Sequence, residues 1–180
     1  VLVVGELLTR GVSWRLIMGG MGVFSLLPAV LFLYHARADT APTGSAAQAI
    51  AHIHDVLHVK HLWHYMVAMF CGAGAESAFA FWTASYVQLH YGGVPRSGGI
   101  GTAFFAGGMI VGRFGSAYLV GQRHLRGLII LSAVAGFVVS LLVPRVGSLG
   151  GLYALLFFVG LSVACFWPSI QSYAADRLDV

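Results

Sequence analysis

The chain has 180 residues, of which 58% are hydrophobic and 9% charged, with a mean hydropathy of +0.84. A soluble domain carries about 25% charged residues, so too few remain here to clothe a water-facing surface, and the composition defines an integral membrane protein. The net charge of +4 does not indicate nucleic-acid binding, because the ten Lys and Arg residues are scattered and most lie between apolar runs, where such residues set membrane topology.

A membrane helix needs about 20 apolar residues to cross about 30 Å of hydrocarbon. The first stretch, "VLVVGELLT" at 1–9, reads as the end of a helix whose beginning lies upstream, and the start without Met predicts a piece of a longer polypeptide. Spans follow at roughly 15–34, 62–90, 99–120, 126–144 and 149–174. None shows the period-2 alternation of a membrane barrel. The predicted fold is an all-α polytopic membrane helix bundle of five transmembrane helices plus a truncated one.

Residues 35–61 form the one long polar connection, divided between a linker-like part rich in Ala, Thr, Gly, Pro and Ser and a His-rich part. The organisation is therefore 1–34, a connecting loop over 35–61, and 62–180. If the long connection is cytoplasmic, that side collects Arg37, Lys60, Arg123, Arg126 and Arg177, with Arg113 near it, against Arg10, Arg15, Arg96 and Arg145 opposite. Within 35–64, His54, His58 and His61 share a helix face at a spacing that could hold zinc or copper. The plainer reading is a juxtamembrane helix with histidines at headgroup level, and no resident cofactor is expected.

In the span 62–90, "CGAGAESAFAFWTASYVQ" buries a single acid, Glu76, in apolar and aromatic surroundings. An acid at mid-bilayer costs about 2.5–3.5 kcal/mol, so it must face a bundle interior, pair, or be protonated. At helical spacing Thr83 falls on nearly the same face and Tyr86 within about 80°, while Trp82 lies off it by about 120°. Such a face offers a carboxyl group and two hydroxyls to a polar solute. Desolvation favours the protonated acid, so Glu76 is also the candidate for proton coupling.

In the span 99–120, Gly107, Gly108, Gly112 and Gly115 permit close helix approach. Arg113 either snorkels to the interface or makes an ion pair inside the bundle. In the last span, "GLSVACFWPSIQSYAADR", Pro168 removes a backbone donor and predicts a kink or break. Irregular backbone at membrane depth is tolerated where it is buried or lines a cavity. Trp167, Ser169, Gln171 and Ser172 surround that point. Cys71 and Cys165 read as small hydrophobes. No catalytic triad, paired carboxylates or nucleophile elbow is present, which points away from an enzyme.

The short loops, the long central connection and the "GVSWR" lead into a span resemble the middle and C-terminal half of a major facilitator superfamily transporter. The resemblance implies that 1–9 ends the fifth helix, 15–34 is the sixth, and the four later spans are the seventh to tenth. "GAGAESAFAFWTASYV" and "GLSVACFWPSIQSYAADR" look most like the seventh and tenth helices of the fucose-permease-like, sugar-transporting branch. The signature between the eighth and ninth helices is degraded: "AYLVGQRHLR" has Gly121 where an acid usually falls, and only Arg123 and Arg126 keep its basic character.

The resemblance implies alternating access by a secondary transporter of a small polar solute, sugar-like and proton-coupled. Glu76, Thr83, Tyr86, Trp167 and Gln171 would form the substrate wall, with Arg113, Arg123 and Arg126 in gating. Partners would be the solute, protons, the lipid bilayer of a bacterial inner membrane and the remaining helices of the same transporter. A membrane scaffold subunit, or a metal-linked transporter or sensor using the histidines, is the alternative.

Overall fold

The computed structural model of the protein describes residues 2–35 and 62–176. Every regular element among them is helical: α1 (Leu2–Thr9), α2 (Trp14–His35), α3 (Leu62–Tyr91), α4 (Pro95–Leu119), α5 (Leu125–Leu142), α6 (Leu149–Val163) and α7 (Phe166–Ala175). Short 3₁₀ turns, Gln122–His124 and Val143–Arg145, flank α5. The expected all-α membrane bundle is thus present.

By length and composition, Trp14–Tyr34, Gln122–Arg145 and Leu149–Ala175 are apolar enough to cross a membrane. The helices α3 and α4, with 30 and 25 residues, are long enough but less apolar. The reason is visible in their content, since α3 carries His64, Glu76, Gln88 and His90 and α4 carries Arg96 and Arg113. These are the two helices that the ion pair described below joins.

The connections are made by residues suited to them. Gly92 adopts a positive φ of 63°, a conformation that costs glycine nothing, and Pro95 then opens α4, where its missing N–H is no loss. Ser148 caps α6, its hydroxyl accepting from the Gly151 N–H at 3.2 Å.

The core gathers Val87 of α3, Phe105 of α4 and Leu152, Leu156, Val159 and Val163 of α6. Of the four glycines expected to allow close approach, Gly108 and Gly112 do so between α4 and α6, whereas Gly107 only grazes Phe157 and Gly115 has nothing within 4 Å. A methyl added to Gly112 would stand 2.6 Å from the Ala164 Cβ. At the outer rim, α1 packs on the start of α4, with Gly5 against Pro95, Arg96 and Gly99.

Pro168 acts as expected, with the disruption falling one turn earlier. The last span divides into α6 and α7 at Ala164–Cys165, because Pro168 has no N–H to give the Ala164 carbonyl. Helical bonding resumes from the Ser169 N–H to the Cys165 carbonyl at 3.1 Å.

Candidate functional site

Glu76 and Arg113 meet across α3 and α4. The guanidinium donates to Glu76 Oε1 at 3.1 Å, with the Arg113 side chain 48% exposed and that of Glu76 24% exposed. Of the two fates open to Arg113 in the sequence, the structure shows the ion pair. The acid is neither isolated nor sealed. Among the described residues these are the ionisable side chains of Asp, Glu, Lys or Arg type that lie more than a turn inside a long helix.

The pair sits at the depth of the helix break. Gly72 touches Phe166 and Tyr65 meets Tyr173 edge to face, 6.1 Å between ring centroids, so α3 and α7 run antiparallel and the break lies about 4 Å, along the axis, from Glu76. From the α4 side, Cys165 Sγ reaches the Gly112 carbonyl at 3.7 Å, one residue before Arg113. Two features that are costly in lipid, a charge pair and an interrupted helix, therefore coincide.

The same register places the other candidate residues. Trp167 lies about 7 Å and Gln171 about 13 Å from the level of Glu76 towards the start of α3, whereas Thr83 lies about 10 Å and Tyr86 about 15 Å towards its end. The five residues are strung along the axis and do not converge on one point. Trp167 and Gln171 are exposed, Tyr86 is half-buried, and Thr83 is buried with its hydroxyl donating to the Phe79 carbonyl.

Thr83 and Tyr86 share a cavity of about 240 Å³ with Phe79, Trp82 and Leu156. Trp82, which the helical wheel sets off the Glu76 face, is thus a neighbour of Thr83 and Tyr86 in this hollow. A helix wheel ranks residues against one face, and this cavity opens beside it. The hollow is lined by rings and aliphatic groups, and the Thr83 hydroxyl is already committed to its own helix.

Arg123 and Arg126 are exposed at the far end of α4 and the start of α5. Their neighbour Gln122 is tied to α7 by a reciprocal pair of bonds with the Ser172 hydroxyl, at 2.9 and 3.0 Å. The candidate metal residues His54, His58 and His61 lie outside the described residues.

Glu6, inconspicuous in the apolar run at 1–9, pairs with Arg10 at 2.9 Å and with Arg96 at 3.5 Å. The Thr9 hydroxyl beside it accepts the Arg96 N–H at 3.1 Å. That bond satisfies one of the free N–H groups at the start of α4, where the N-cap residue Val94 makes no side-chain cap. The Glu6–Arg10 spacing of one helical turn was a visible signal; the partner on α4 was not.

Antiparallel apolar helices, a half-exposed charge pair at depth and a broken helix beside it define a polytopic membrane protein with a polar element inside its bundle. The chain belongs to the major facilitator superfamily, whose family model matches residues 1–180. This is a family of membrane transporters. Neither a curated protein nor a solved structure matches the chain.

Proposed function

We propose that the chain forms part of a secondary active transporter that moves a small polar solute by alternating access, two helix bundles rocking about a site near the membrane midplane. The observation that carries this reading is the Glu76–Arg113 pair, joined across α3 and α4 and level with the α6–α7 break. Charges at bilayer depth are tolerated where they face a bundle interior or a water-filled cavity, and a charge pair beside an interrupted helix marks such a place.

Helical geometry supports an inward-looking position for the pair. Gly99, which α1 covers, and Arg113 fall within about 40° of each other around α4. In this reading α1 ends the fifth helix and belongs to the opposite bundle, so Arg113 looks towards the gap between bundles. Trp167 and Gln171 on one side and Thr83 and Tyr86 on the other line successive parts of the path rather than a single contact shell.

A sugar-like solute is favoured by the resemblance of the segments around Glu76 and Pro168 to the fucose-permease-like branch, and a bacterial inner membrane is the corresponding location. Proton coupling would run through Glu76: protonating its carboxyl group cancels the charge that holds Arg113, so proton binding and opening of the pair are linked. Arg123 and Arg126 would act at the cytoplasmic rim, next to the Gln122–Ser172 tie.

The experiment is uptake into proteoliposomes by the full-length transporter carrying Glu76→Gln. Loss of accumulation against a gradient, with downhill exchange retained, is the expected result. Uptake equal to wild type with the same pH dependence would remove Glu76 from the mechanism.

A further inference from the structure

We infer that the Glu76–Arg113 pair is a charge filter, which makes the polar element selective for solutes of zero net charge. This rests on the transporter reading above, and it adds what that reading leaves open: the charge class of the solute.

The inference follows from the pair's geometry. The contact is made through one guanidinium nitrogen and one carboxylate oxygen. A guanidinium has five N–H donors in a fixed fork, and a carboxylate has about four lone-pair sites. The structure gives Arg113 Nε, its other terminal nitrogen and Glu76 Oε2 no protein partner among the described residues. The two side chains therefore present several donors beside free acceptor sites, at a point where both are partly open.

With the Glu76 carboxyl group ionised, the form in which the pair is made and the solute is admitted, the charges in contact balance. No other Asp, Glu, Lys, Arg or His of the described bundle lies at this depth: Glu6, Arg10, Arg15, His90, Arg96 and Arg145 sit towards one end of it, and His64, Arg123, His124, Arg126 and Asp176 towards the other. A neutral polar solute can donate to Glu76 and accept from Arg113 while the ion pair stays made. An anion must compete with Glu76 for the guanidinium and leave the carboxylate unpaired, and a cation must do the converse. Unpairing a desolvated charge is the costly outcome, so both charged classes are rejected by the same device.

Each half of the filter then has a distinct signature. Glu76→Gln keeps the shape and leaves Arg113 as an uncompensated cation, so the preference moves to anions. Arg113→Gln leaves Glu76 uncompensated and moves it to cations. The double variant has no charge at this point and returns to neutral solutes, with weaker binding. Simple loss of fold would produce none of these opposite shifts.

The test uses the full-length protein in proteoliposomes and a set of labelled solutes sorted by net charge, including the matched trio galactose, galacturonate and galactosamine. Wild type is expected to retain a neutral solute at least tenfold better than its charged counterparts, equal to about 1.4 kcal/mol. Glu76→Gln should shift the ratio at least tenfold towards the anion and Arg113→Gln at least tenfold towards the cation, each variant being checked for a monodisperse state and a cooperative melt. A wild type that prefers a charged member, or folded single variants that keep the wild-type order, would overturn the filter while leaving transport standing. Retention of no solute of any class by wild type would overturn the transporter reading and the filter with it. Should one single variant fail to fold, the other and the double variant still decide, since a filter requires them to differ in charge preference.

Discussion

Gly108 of α4 and Gly160 of α6 hold the two helices in direct backbone contact. A methyl on Gly108 would stand 2.0 Å from the Phe157 carbonyl oxygen, and one on Gly160 2.0 Å from that of Phe105. Both distances are below any real carbon–oxygen contact, so the helices must part to admit a side chain. Overpacking of this kind costs about 1–3 kcal/mol. Gly108→Ala and Gly160→Ala should each lower the thermal midpoint of the purified protein. Gly115→Ala, with nothing within 4 Å, should keep or raise it, because helix propensity favours Ala by up to about 1 kcal/mol of stability. Equal effects at all three positions would contradict the packing described.

Thr9 caps a helix that is not its own. Its hydroxyl accepts the Arg96 N–H at the start of α4 and donates to the Gly5 carbonyl at 2.8 Å. Thr9→Val keeps the shape and removes the acceptor, and should cost about 1 kcal/mol, as for an ordinary N-cap. Thr9→Ser should retain most of the stability. Glu6→Gln, acting on pairs whose arginine partners are mostly exposed, should cost less than about 1 kcal/mol. Thermal melts of the three variants check the order.

The ion pair predicts a non-additive set. Glu76→Gln or Arg113→Gln alone leaves a charge without its partner at bilayer depth, whereas the double variant leaves none. The double variant should therefore melt no lower than the worse of the two singles, with a coupling of at least about 0.5 kcal/mol in a double-mutant cycle. Additive losses would mean that the contact contributes nothing beyond two separate side chains.

Pro168→Ala gives the Ala164 carbonyl a donor and should make α6 and α7 continuous. Slower hydrogen exchange over 164–170, with a raised thermal midpoint and slower uptake by the full-length transporter, is the expected combination. Unchanged exchange would show that the break is imposed by tertiary packing rather than by the missing N–H.

Much of this architecture was legible in the residues, because apolar runs of membrane length and turn residues such as Gly92 and Pro95 act locally. Pro168 likewise announced its break, since the lost donor is a property of the residue itself. What stayed out of reach were relations between helices. Arg113 offered two fates in the sequence, and only the antiparallel register of α3 and α4 selects Glu76. The helix wheel sets Glu76, Thr83 and Tyr86 on neighbouring faces but has no depth coordinate against another helix, so it carries no sign that Gln171 and Tyr86 lie towards opposite ends of α3. Trp82 lies off the Glu76 face by angle, yet the hollow it helps to line depends on the neighbouring α6. Glu6 went unremarked because its partner Arg96 lies 90 residues away in sequence.

The most direct test of the central claim is chemical labelling of Glu76 in the reconstituted full-length protein, read by mass spectrometry of the α3 peptide. A water-soluble carbodiimide with a polar amine reaches carboxyl groups from the aqueous phase, and a lipid-soluble carbodiimide reaches them from the bilayer. If the Glu76–Arg113 pair opens on a wet gap between bundles, the water-soluble reagent labels Glu76, and Arg113→Gln speeds the labelling. Labelling by the lipid-soluble reagent alone would place the carboxyl group against hydrocarbon and contradict the account.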